Sequence, residues 1–281
     1  MRKPVTVAAG HAATVCFRYV PLWSILVALL PACAAPAQRM GEQAAQMGYQ
    51  SMVLPGACYN HVVYTNFRQA ADHSVLHVYL EGDGTPWLRR GLPSADPTPR
   101  NPMMLALMLH DARPSVLLGR PCYHGLSGVE GCTPDLWTSG RYSEAIVTSM
   151  AAALTGLVAA YESVVLIGYS GGGTLAILIA QRVQKAGSVV TLAANLDTSR
   201  WARLHNEDLS GSLNPAARAS LPAHIRQLHI AGGQDENVPP ALIREALAGQ
   251  PGAKFRIFES MDHGCCWQKI WPEVLASLDA I

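Results

Sequence analysis

The stretch Ser163-Val164-Val165-Leu166-Ile167-Gly168-Tyr169-Ser170-Gly171-Gly172-Gly173-Thr174, running on to Val183, decides how this chain is read. Residues 163–167 are an apolar run of the kind that forms a strand buried on both faces, and residues 174–183 read as a helix. Between them sits Gly-x-Ser-x-Gly. A serine at a sharp strand-to-helix turn projects its hydroxyl from the sheet edge. Gly168 and Gly172 let the backbone fold tightly past itself, which a Cβ at either place would obstruct. The positive N-terminal end of the helix then faces the point where an oxyanion would develop. A glycine-rich turn that binds nothing, or a phosphate, is the competing reading; the flanking strand and helix favour a nucleophile.

Working outward, strands and helices alternate. Residues 75–80 and 115–118 read as strands upstream, and residues 143–161 as a helix with Ser143 as N-cap and Glu144 in its first turn. Downstream, residues 188–192, 225–231 and 254–258 read as strands, and 241–248 and 267–280 as helices. This pattern implies an α/β fold: a mostly parallel central sheet with helices on both faces. Right-handed crossovers bring the C-terminal strand ends to one edge, where ligands bind. Residues 51–281 are expected to form one catalytic domain, with 38–50 as a linker or frayed first helix. The irregular segment 200–223 is expected to supply at most a small cap.

A serine needs a base and an orienting acid. His263 lies just past the last expected strand, with Gly264 behind it, so it is placed to reach Ser170. Asp235 follows the next-to-last strand and gives the chain order Ser, Asp, His; a turn aspartate capping the helix near Pro239-Pro240 is the alternative. Asp197, after the strand that follows the serine, is the rival acid, and Asp262 is too close to His263 in sequence to turn onto its ring. Two N–H donors are expected to hold the oxyanion, one from Gly171 and one from Gly82 or Asp83 in Glu81-Gly82-Asp83-Gly84.

Composition narrows the partners. The chain has 281 residues, 49% apolar and 15% charged, with a net charge of +1, enough apolar content for a large core without metals or cross-links. No basic stripe marks a nucleic-acid partner. No Cys-x-x-Cys pair or His cluster suggests a metal, and serine chemistry requires no cofactor. Arg2, Lys3 and Arg18 precede an uncharged run that ends in small residues, so residues 1–37 are expected to be an export signal. Processing before Cys33 in Leu-Pro-Ala-Cys would lipidate that cysteine and anchor the protein to a membrane; cleavage after Ala37 would release a soluble form. Export makes disulfides reasonable, with Cys122–Cys132 expected and Cys58 with Cys265 or Cys266 a weaker second.

Taken together, Glu81 to Gly84, Asp96 to Pro102, Gly168 to Gly173, Asn195-Leu196-Asp197 and Leu209 to Pro215 resemble the α/β-hydrolase superfamily, and within it bacterial exported serine hydrolases that are often lipoproteins. The resemblance implies the fold, Ser170 and His263, and Asp235 with less specificity. The expected activity is hydrolysis of a small or lipid-like carboxyl ester through an acyl-enzyme. A serine peptidase, an acyltransferase on the same residues, and a non-catalytic envelope binding protein are the alternatives. Trp87, Arg89, Arg90, Arg100, Arg120 and Trp201 are candidates to line the site, the arginines meeting an anionic group; surface charge and packing explain them equally well.

Overall fold

A computed structural model describes residues 35–67 and 74–279. Cys33, and residues 1–34 of the expected export signal, lie outside the described residues. The ten strands among the described residues are β1 (Gln50–Pro55), β2 (Asn60–Asn66), β3 (Val75–Leu80), β4 (Trp87–Arg89), β5 (Leu92–Pro93), β6 (Ser115–Leu118), β7 (Ser163–Tyr169), β8 (Ala186–Leu192), β9 (Arg226–Gly232) and β10 (Lys254–Phe258). The seven α-helices among the described residues are α1 (Pro36–Gln46), α2 (Met103–Met108), α3 (Glu144–Val158), α4 (Gly171–Ala180), α5 (Thr198–His205), α6 (Pro240–Ala246) and α7 (Trp271–Asp279).

Eight strands make the main sheet, in the order β1-β2-β6-β3-β7-β8-β9-β10, while β4 and β5 form a separate ribbon. The pairs β1/β2 and β2/β6 are antiparallel and every other pair in the main sheet is parallel. β7 is central, and its side chains divide by the two-residue period of a strand. Val164 and Leu166 pack with Leu175, Ile179 and Ile243 on one face; Val165 and Ile167 pack with Leu105, Trp271 and Val274 on the other. Burying both faces requires apolar residues at successive positions, which is why this strand was the clearest to read.

One expectation is corrected and two are given detail. Of the two readings for residues 38–50 the helical one holds: they fall largely within α1, which starts with Pro36 at the first turn and buries Met40 and Ala44, one helical turn apart, against the core around Tyr49 and Met108. The irregular segment 200–223 holds most of α5, capped by the Asp197 side chain accepting from Arg200 N–H and closed by Asn206 in the left-handed conformation. Cys58 is a free, exposed thiol, while Cys265 and Cys266 are bonded to each other. Sheet order explains the last result. Cys58 sits in the β1–β2 turn at one edge, whereas Cys265 and Cys266 follow β10 at the opposite edge.

The Cys122–Cys132 disulfide is present, with its Cα atoms 5.6 Å apart. Its loop is short, so opening it should cost roughly 3 kcal/mol from the added freedom of the unfolded chain. Urea titration of Cys122→Ser/Cys132→Ser is expected to show a lower midpoint with little change in slope.

Candidate active site

The turn after β7 places Ser170 at φ 50° and ψ −122°, a left-handed conformation that a non-glycine residue adopts only under constraint. Its N–H is held by the Leu192 carbonyl at 2.9 Å, and its own carbonyl accepts the Gly173 N–H at 2.9 Å. The glycines are there for close approach. A Cβ on Gly168 would strike the Gly172 carbonyl, and one on Gly172 would strike the Leu80 carbonyl. α4 follows at once, and every residue in it is buried.

Three of the expected residues converge at this turn. His263 Nε2 lies 3.1 Å from Ser170 Oγ, and His263 Nδ1 lies 2.8 Å from Asp235 Oδ2. Asp235 is only 3% exposed, and its other oxygen accepts the N–H groups of Asn237 at 2.9 Å and Val238 at 2.7 Å. One carboxylate therefore performs both functions weighed for it from sequence, ordering the turn before α6 with Oδ1 and meeting the imidazole with Oδ2. Asp197, the rival acid, caps α5 and accepts from Asn214 Nδ2 at 2.9 Å. Asp262 does not face the ring either. It folds the histidine turn by accepting from Gly264 N–H at 2.8 Å and Cys265 N–H at 2.6 Å.

Sequence reasoning missed what clamps the imidazole. The His263 carbonyl accepts from the Tyr169 hydroxyl at 3.0 Å and from Trp267 Nε1 at 2.9 Å, and the Tyr169 ring lies 5.2 Å from the imidazole, centre to centre. Burial, then the nearby carboxylates led by Glu81, push the Tyr169 hydroxyl well above its ordinary range, so it stays a neutral donor. Trp201 Nε1 and His205 Nε2, both from α5, bind the Asn237 carbonyl at 3.0 and 2.8 Å and so brace the acid loop.

On the other side of the serine stands Glu81-Gly82-Asp83-Gly84. The Gly82 N–H is taken by Glu81 Oε1 at 3.1 Å, whereas the Asp83 and Gly171 N–H groups have no hydrogen-bond partner among the described residues. Asp83 is held at every other polar group. Arg120 Nη2 reaches its carboxylate at 2.8 Å, Arg141 Nη1 at 3.0 Å and the Tyr142 hydroxyl at 2.7 Å, while the Tyr123 hydroxyl donates to its carbonyl at 2.9 Å. Burial opposes the charge on Asp83, but the two guanidiniums and Tyr142 outweigh it and hold the carboxyl below its ordinary range. This carboxylate also fills the space beside the serine, because a Cβ on Gly171 would overlap it.

Of the arginines expected to meet an anionic group, Arg120 is buried and meets an internal anion, Asp83; Arg89, Arg90 and Arg100 are exposed. Trp87 and Arg141 both bind Glu207, joining the β4–β5 ribbon to the segment after α5. No group of ligating side chains able to hold a metal ion occurs among the described residues.

Glu81 is the site's exception to ordinary charge. Burial pushes its carboxyl up to about 7, against the opposing pull of the N–H groups of Gly82 and Met104 and of Arg120. A carboxyl raised in the fold above its unfolded value favours the protonated, low-pH state. Its contribution to stability is full below pH 4.5 and is lost as pH rises to about 7, about 3 kcal/mol in all. Chemical unfolding between pH 4.5 and 8 should show this fall in the wild type, and Glu81→Gln should remove that part of the slope.

Comparison with solved structures places the fold in a known architecture. An esterase of Pyrococcus furiosus is similar at 12% identity and TM-score 0.58, over 83% of this chain and 88% of that one. An α/β serine hydrolase without a lid from Xanthomonas campestris is similar at 13% identity and TM-score 0.53, over 83% and 92%. A puromycin-hydrolysing peptidase of Mycobacterium tuberculosis is similar at 14% identity and TM-score 0.58, over 81% of this chain but only 37% of its own. The chain has the α/β-hydrolase fold. No protein-family model matches it, and no curated protein matches it in sequence.

Proposed function

We propose that the protein is a serine hydrolase acting on a carboxyl ester, with Ser170 as nucleophile, His263 as base and Asp235 as orienting acid. The observation that carries this reading is the unbroken contact chain from Ser170 Oγ through His263 to Asp235, on a serine held at positive φ. His263 takes the proton as Ser170 attacks the acyl carbon, and Asp235 stabilises the resulting imidazolium. The N–H groups of Gly171 and Asp83 receive the oxyanion, Gly82 being engaged by Glu81. His263 then protonates the leaving alcohol, and water attacks the acyl-enzyme by the same route reversed. Hydrolysis of p-nitrophenyl esters from acetate to dodecanoate, beside Ser170→Ala, tests this reading. No turnover of any ester by the folded protein would overturn it.

We also propose that the protein is exported and processed before Cys33. The Ala37 N–H, in the first turn of α1, donates to Asp96 Oδ2 at 3.0 Å. Processing before Cys33 leaves that contact in place; cleavage after Ala37 removes its donor. The mass of the mature N-terminal peptide decides between a lipidated Cys33 and an unmodified Gln38.

A further inference from the structure

Cys58, Cys122 and Cys132 line one surface cavity of about 280 Å³, formed by the β1–β2 turn and the loop that follows β6. They are a free thiol and the two halves of a disulfide. The turn that carries the thiol is fastened. Gly56 N–H donates to the Tyr59 carbonyl at 2.8 Å, and Tyr59 N–H donates to Ser149 Oγ of α3 at 3.2 Å. Tyr59, the residue after Cys58, packs with Cys132 against the buried cluster of Cys122, Tyr123 and Trp137. The thiol is therefore held in a pocket whose wall includes a disulfide. The two sulfurs of that disulfide are not equally open: Cys122 is 1% exposed, whereas Cys132 is partly exposed.

We propose that these three residues form a thiol–disulfide exchange site, and that exchange slows hydrolysis by loosening the loop that carries Asp83. A thiolate attacks the disulfide sulfur it can reach, and the far sulfur leaves. Cys58 Sγ bonds to Cys132 Sγ as the Cys122–Cys132 bond breaks, and Cys122 leaves as a thiolate that takes up the proton Cys58 gave to solvent. One disulfide replaces another, so no oxidant or reductant is consumed. The link to the active site runs through the neighbours of Cys122. Arg120, two residues before it, donates to the Asp83 carboxylate at 2.8 Å, and Tyr123, the next residue, donates to the Asp83 carbonyl at 2.9 Å. Cys122 and His124 sit at φ 66° and 57°, a conformation that non-glycine residues keep only where their surroundings impose it. The disulfide is one such constraint. Released from it, the segment relaxes, and Arg120 and Tyr123 no longer fix the Asp83 N–H. The effect on rate rests on the ester-hydrolase reading above; the exchange itself does not.

The exchange is read on the unaltered chain. The folded protein is incubated at about pH 8.5, where ordinary thiols are partly ionised, quenched in acid, unfolded with excess N-ethylmaleimide and digested without reduction. A peptide linking Cys58 to Cys132, with the maleimide on Cys122, should accumulate over minutes to hours and be absent from Cys58→Ser. Maleimide found on Cys58 alone throughout would overturn the exchange. So would Cys58 linked to Cys265 or Cys266 as often as to Cys132, because that is indiscriminate scrambling. Kinetics test the consequence. Cys58→Ser keeps the original disulfide and should keep the wild-type kcat for a p-nitrophenyl ester. Cys122→Ser, oxidised with glutathione disulfide, which is reduced to two thiols as Cys58 and Cys132 join, fixes the exchanged pairing. Its kcat should fall about tenfold with KM little changed, since a loosened oxyanion donor costs less than a deleted one. A second comparison needs no folded Cys122 variant: during the incubation, wild-type activity should fall in step with the exchanged fraction while Cys58→Ser stays constant. An exchanged fraction that rises with kcat unchanged would overturn the regulatory claim. Absence of turnover in every sample instead sinks the ester-hydrolase reading and the effect on rate with it, and the peptide map still decides the exchange.

Discussion

Ser170→Ala is expected to lower kcat/KM for a p-nitrophenyl ester by on the order of 10⁴-fold or more, with substrate binding little changed. The argument is chemical rather than steric. Removing Oγ takes away the only atom within hydrogen-bond reach of His263 Nε2 among the described residues, leaving the oxyanion donors and Asp235 where they were. The variant should fold as the wild type does, because the backbone contacts of the turn, from Ser170 N–H to Leu192 and from Gly173 N–H to Ser170, do not involve the side chain. Comparing initial rates and circular dichroism for the two proteins tests both halves. A variant that keeps more than a tenth of wild-type activity would remove Ser170 from the mechanism.

The second large effect is expected away from the Ser–His–Asp set. Asp83→Ala removes the shared partner of two guanidiniums that are 3% and 2% exposed, Arg120 and Arg141. Leaving a buried charge without its partner costs about 3–5 kcal/mol, although Glu207 still meets Arg141 and limits the loss there. Function should suffer separately. With the carboxylate gone, nothing fixes the Asp83 N–H except the Tyr123 hydroxyl on its carbonyl. A donor aimed at a developing oxyanion matters in the transition state more than in the ground state, so kcat should fall about 10²–10³-fold while KM changes little. Denaturant titration gives the stability term, and kinetics at a temperature where the variant is folded give the other. Asp83→Asn, which keeps the shape but not the charge, should be milder on both measures. If Asp83→Ala lowers stability without touching kcat, the loop is structural only.

The legible parts of this molecule were those where one physical requirement dominates. β7 has to be apolar on both faces, and the turn after it has no room at Gly168 or Gly172; both requirements are visible in one chain. β3, β6 and β10 were read with their observed ends for the same reason: each is a short β-rich run closed by turn residues. The placement of His263 and Asp235 beside Ser170 was legible because strand ends share one edge of a parallel sheet. β1 and β2 were missed. They lie at and next to the sheet edge: β1 is almost wholly exposed, and the apolar run of β2 is confined to Val62-Val63-Tyr64 between polar residues. α1 was read as linker or frayed helix because its buried side is narrow, resting mainly on Met40 and Ala44 in an otherwise polar segment. The clamps on the site were hidden for a different reason. Arg141, Tyr142 and Tyr123 are 58, 59 and 40 residues from Asp83 along the chain, and no local pattern marks a side chain whose partner is that distant.

The most direct test of the central claim is covalent. The folded protein should be treated with a fluorophosphonate, its intact mass measured and the modified peptide sequenced. The account predicts a single adduct on Ser170, formed by the wild type and lost in both Ser170→Ala and His263→Ala. Absence of any adduct on the folded wild type, or an adduct on another residue, would contradict it.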